Sequence, residues 1–142
     1  MRYLLSLLVA LSITATAAAQ YNWCVSLRGN IKLKHVGEDR IKNVVVLSAT
    51  ELNTPGSFRI NFDKTDTAMR RTVFVSDPSG NTLRTGEEVK RTWRIRTSDL
   101  KKMIEEKGEL SFFYTEIPRD ANQAMLVKIR PVHLCTLKGT TH

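Results

Sequence analysis

The chain has 142 residues, with 22 Lys and Arg against 14 Asp and Glu, a formal net charge of +8 and two cysteines. That length suits one domain with its own core, and no repeat, low-complexity tract or Pro/Gly-rich linker divides it. The charge favours anionic partners, and beyond the N-terminus no apolar run reaches the ~20 residues a helical membrane span needs.

The first element is an export signal. Met1-Arg2-Tyr3 is a positive start, Leu4 to Ile13 is apolar apart from Ser6 and Ser12, and Ala17-Ala18-Ala19 supplies small residues before Gln20. These are the parts of a cleavable secretory signal over residues 1–19, too short in its apolar centre for an anchor. Tyr21-Asn22-Trp23 before Cys24 is too bulky for a lipoprotein site. The expectation is a secreted or periplasmic protein whose single β-rich domain runs over residues 20–142. In an oxidising compartment an even cysteine count predicts a Cys24–Cys135 disulfide. Closing so long a loop is worth ~4–5 kcal/mol in the chain-entropy model.

Strand signals follow. From Trp23 to Leu33 the apolar residues fall on odd positions, with Cys24, Ser26, Arg28, Asn30 and Lys32 between them, which reads as one two-faced strand. Val44-Val45-Val46-Leu47 is apolar on both faces and reads as a central, covered strand. After a Thr54-Pro55-Gly56 turn, Phe58, Ile60 and Phe62 alternate with Arg59 and Asn61. Thr72 to Ser76 is a further strand, Asp77-Pro78-Ser79-Gly80-Asn81 a turn, and Val89 to Thr97 a strand with Trp93 and Ile95 opposite Arg94 and Arg96.

One helix is predicted, with Ser98 as N-cap, Leu100, Met103 and Ile104 on its apolar face, and Lys107-Gly108 at its end. A strand over Leu110 to Ile117 and a turn over Pro118 to Ala124 lead into a long last strand from Met125. There the apolar phase shifts at Pro131, as a bulge would produce, and puts Cys135 on the outer face, like Cys24. Together these elements predict a mainly β fold: an antiparallel β-sandwich of about seven strands, immunoglobulin-like in architecture, with one short helix. The alternative is an α+β fold, a single curved antiparallel sheet with the helix on one face.

The chemistry is sparse. No G-x-S-x-G, H-E-x-x-H, C-x-x-C, Gly-rich phosphate loop or Ca²⁺-loop spacing occurs, so no catalytic residue, metal or cofactor is assigned. His133-x-Cys135 is two ligands short of a zinc site, and Asp63, Asp66 and Asp77 lie where turns favour aspartate. The candidate anion-binding residues are Arg28, Lys32 and Lys34 on the first strand, Arg94 and Arg96 on another, and Lys128 and Arg130 on the last. No aromatics interleave with them in a stacking pattern, which argues against nucleic acid. The expected function is a non-catalytic module binding an extracellular protein, an acidic glycan or a lipid headgroup surface. The alternative is a small secreted hydrolase whose carboxylates, such as Glu109 with Glu116 or Glu87-Glu88, meet only in the fold. A protease-inhibitor-like loop over Thr50 to Ser57 or Asp63 to Arg71 is a third option.

Overall fold

A computed structural model describes residues 23–140; the export signal predicted over 1–19 lies outside the described residues. The fold is mainly β, in two sheets. β1 (Trp23–Leu27), β2 (Asn30–Val36), β4 (Ser57–Phe62) and β7 (Thr92–Arg96) form a four-stranded antiparallel sheet in the order β2-β1-β4-β7. β3 (Val44–Leu47), β5 (Met69–Ser76), β6 (Thr82–Gly86), β8 (Glu109–Pro118) and β9 (Val132–Gly139) form the other, in the order β3-β9-β8-β5-β6. Three helices, α1 (Ala49–Asn53), α2 (Thr97–Lys107) and α3 (Ala121–Leu126), lie between strands. Two separate sheets replace the alternative of a single curved one. The β3–β9 pair is parallel, so the second sheet is not wholly antiparallel as expected.

The alternation in β4 works as predicted. Phe58, Ile60 and Phe62 are buried while Arg59 is exposed. Trp23, Val25 and Leu27 of β1 and Ile95 of β7 face the same core. The second sheet answers with Val73, Val75, Leu110, Phe112, Tyr114 and Leu137. Rings join the two sheets: Phe58 to Phe112 at 5.1 Å between centroids, Phe62 to Tyr114 at 5.3 Å and Trp23 to Tyr114 at 6.0 Å. The buried Trp23 indole needs a partner, and its Nε1 donates to the Leu134 carbonyl of the other sheet at 3.1 Å.

Five local expectations are corrected. The strand predicted from Trp23 to Leu33 is a hairpin: Leu27 pairs with Asn30, and Arg28 and Gly29 between them have φ of 50° and 80°. Two consecutive positive φ values match the right-handed twist of the flanking strands, and glycine supplies the second at little strain. β3 is an edge strand rather than a central one, with Val46 exposed. The predicted last strand starts at Val132 instead of Met125. Asp120 accepts hydrogen bonds from the Asn122 and Gln123 amides, so the preceding residues form α3, with Met125 and Leu126 in solvent. The predicted α2 forms and buries Leu100 and Ile104, but it starts at Thr97 with Arg96 as an N-cap that supplies no side-chain bond.

The fifth correction concerns the cysteines, which are not bonded. β1 and β9 are interior strands of different sheets, not neighbouring outer strands. The register irregularity falls at Leu134, between the pairs Phe112–Cys135 and Phe113–His133, not at Pro131. Cys135 therefore shares the inward face of Phe112 and is fully buried. Cys24 alternates with the inward Trp23 and Val25 and faces away from the core. A bridge requires two side chains that face each other, and the four-stranded sheet's own backbone stands between these.

Candidate functional site

The outer face of the four-stranded sheet is built by alternation. Opposite every inward residue of β4 and β7 stands a polar one: Ser57, Arg59 and Asn61 on β4; Thr92, Arg94 and Arg96 on β7. The register sets Arg59 directly across from Arg94 and Ser57 across from Arg96. Such cross-strand neighbours hold their Cβ atoms about 4.5–5.5 Å apart, and like charges there repel. On β2, Lys34 follows the inward Leu33 and is exposed. None of the four strands contains an Asp or Glu.

Among the described residues, acidic partners reach this face from α1 and α2. Arg96 donates from Nε to Asp99 on α2 at 3.3 Å. Lys32 pairs with Glu51 of α1, and that bond holds the Glu51 carboxyl below the usual carboxylate range. Glu51 also closes a capping box with Ser48 at the start of α1. Arg59, Arg94 and Lys34 have no acidic partner among the described residues. Their face is exposed, cationic and free of acids.

The seven predicted cations are thus divided. Arg94, Arg96 and Lys34 share the sheet, with Lys32 neutralised at its edge. Arg28 sits in the β1–β2 turn, its Cγ and Cδ lying where a Cβ on Gly56 would be, at 2.2 and 2.7 Å. Lys128 and Arg130 are not on a strand, and Arg130 is clamped to Glu38 by two bonds of 3.1 and 2.7 Å. Arg59 completes the cationic face and was not among the predicted residues. Its alternation was visible, but the β4–β7 pairing that places it against Arg94 joins segments more than 30 residues apart.

The carboxylates are engaged elsewhere. Glu116 takes the buried Arg71 guanidinium, with Nε at 3.0 Å and Nη2 at 2.9 Å. Arg71 also donates to the Lys90 and Lys64 carbonyls and lies 4.0 Å over the Phe62 ring. Glu88 forms a two-bond pair with Arg119, which holds its carboxyl below the usual range. Glu88 and Glu116 line one small cleft of about 290 Å³, yet a glycosidic acid must stay protonated near neutrality and Glu88 is tuned the other way. Glu109 pairs with Lys138 at 3.4 Å. Asp77 accepts from the Ser79 and Asn81 amides, which is the turn use of aspartate. Among the described residues no three His, Cys, Asp or Glu side chains gather as a metal site. His133 is buried, with Nε2 2.8 Å from the Thr136 hydroxyl.

The chain matches no protein-family model and no curated sequence.

Proposed function

We propose that this is an exported, non-catalytic binding module whose four-stranded sheet holds an extended polyanion, an acidic glycan being the partner that best fits it. Export rests on the signal-like residues 1–19. The architecture is read as a β-sandwich, loosely immunoglobulin-like, because aromatic side chains from the two sheets interlock across one core.

The observation that carries the function is the Arg59–Arg94 pair on a sheet without acids. Two guanidinium groups placed side by side repel by an amount of order 1 kcal/mol in water-like surroundings. A sulfate or carboxylate between them reverses the sign, and the planar donors of arginine suit both anions. An exposed sheet also presents its cations in a flat array, as a chain of repeating charges requires.

The test is retention on immobilised sulfated polysaccharide. Wild-type protein should bind at low salt and elute as the Debye length falls to about 3 Å near 1 M. The Arg59→Glu/Arg94→Glu variant should lose retention with its folding unchanged, while Lys128→Glu should retain it. Binding indifferent to salt, or equal in the double variant, would overturn the reading. Vesicles of anionic lipid run in parallel report whether a headgroup surface is preferred to a glycan.

A further inference from the structure

The opposite face of the molecule carries a different kind of site. On the outer side of the five-stranded sheet, Phe74 and Phe113 are cross-strand partners with rings stacked at 5.3 Å and 17°. They floor a cleft of about 590 Å³, within the usual range for small-molecule pockets. One wall is the Asp77–Gly80 turn, and the other comes from Arg40, Arg130 and Pro131. Both rings are half-buried, Phe113 having Arg40 over it and the His133 ring edge-on at 5.5 Å, and the apolar surface they leave open floors the cleft.

The polar groups around that floor are mostly spoken for. Asp77 is held by its turn, Glu109 by Lys138 and Arg130 by Glu38. The Ser111 hydroxyl lies 3.2 Å from Thr136, which in turn contacts His133. Two groups remain. Ser76 lines the cleft, is 7% exposed, and its hydroxyl has no hydrogen-bond partner among the described residues. Arg40 stands with its guanidinium carbon 5.5 Å from the centre of the Phe113 ring; its charge reaches the Glu38 carboxylate, which Arg130 holds, but it forms no close ion pair of its own among the described residues.

The geometry points to a binding site for a small planar molecule that carries one acidic group. Its ring packs against the open side of the Phe74–Phe113 pair, its carboxylate or sulfonate pairs with Arg40, and the Ser76 hydroxyl orients its polar edge. Ring packing and a charge-assisted hydrogen bond act on different parts of the ligand, so removing one should leave the other measurable. This site shares no residue with the cationic sheet and stands or falls independently of the polyanion reading.

The probes are naphthoate and its uncharged counterpart naphthylmethanol, titrated into the purified protein and followed by amide NMR shifts. Naphthoate should give saturable shifts at Phe74, Ser76, Ser111 and Phe113. Arg40→Gln, at an exposed position, should weaken naphthoate about tenfold or more and leave naphthylmethanol unchanged. Arg40→Lys should restore part of the loss. Arg59→Gln/Arg94→Gln should change neither affinity, which separates a failure here from a failure of the polyanion site. Absence of saturable shifts, or an Arg40→Gln effect equal for the two probes, would overturn the assignment.

Discussion

Replacing Arg71 with methionine removes the most heavily used side chain in the fold while keeping much of its apolar stem. Four polar contacts disappear: two to the Glu116 carboxylate, one to the Lys90 carbonyl at 2.6 Å and one to the Lys64 carbonyl at 2.9 Å. The side chains of Arg71 and Glu116 are only 5% and 11% exposed, so water cannot fully take over. Breaking a buried pair from one side typically costs about 3–5 kcal/mol, because the remaining charge stays buried. Residual access to Glu116 favours the lower figure, about 3 kcal/mol. That is a large share of a domain stability of ~5–15 kcal/mol, and it corresponds to a fall in Tm of roughly 10–15 °C. Urea unfolding followed by the fluorescence of Trp23 and Trp93 would measure it. Arg71→Met/Glu116→Gln should recover about 1–2 kcal/mol of the loss, since no charge is then left unpaired. A single-variant loss below about 1 kcal/mol, or a double variant no better than the sum of its parts, would refute the assignment of this pair as a buried clamp.

The remaining predictions concern separate parts of the molecule. In the folded protein an alkylating reagent should modify Cys24 and spare Cys135, whose thiol burial pushes far above its ordinary pKa; a Cys24–Cys135 cross-linked peptide would contradict the observed faces. Gly56→Ala should cost about 1–3 kcal/mol through collision with the Arg28 stem, and Arg28→Ala in the same chain should relieve most of it; an unchanged Tm for the single variant would count against the contact. His133 has a pKa lowered by burial, with Arg40 adding to the effect and Glu38 opposing it. The unfolded chain therefore binds the proton first, and the stability present above about pH 6.5 declines as pH falls through and below that value. Loss attributable to Glu38, Glu51 and Glu88, whose pKa values are also lowered, begins only below about pH 4.5. His133→Gln should flatten the slope between these two values, and an identical slope in the variant would assign it to other groups.

Period-two alternation located most strands but not their ends. A two-residue turn sets Leu27 opposite Asn30 and Ser26 opposite Ile31, which alone would move the inward positions of β2 to even numbers. The irregularity between Val25 and Ser26 sets Leu33 opposite Val25 and returns it to the odd phase, so the hairpin at Arg28-Gly29 passed unseen although Ile31 is exposed. The signals for α1 were present as Ser48-x-x-Glu51, a capping box, but five residues show no helical period. Met125, Val127 and Ile129 alternate like a strand, yet the Asp120 cap commits the chain to a helix first and leaves all three exposed. For the cationic face, each strand's outward residues could be read locally. Which strands stand side by side is a long-range fact, and it alone brings Arg59 to Arg94 and separates both from Arg130.

The placement of β9 between β3 and β8 has a consequence for how the chain reaches this state. β9 comes last among the described strands, yet β3 has no other neighbour in its sheet and β8 loses half its pairing without it. During synthesis, β3 and the free edge of β8 must wait for the C-terminal strand. Non-local pairing of this kind is slow, and it keeps the apolar residues of β3 uncommitted while the rest of the chain is being made. The five-stranded sheet therefore joins its β3 edge to the rest only when the last strand arrives, while the β2-β1-β4-β7 sheet has all its strands beforehand.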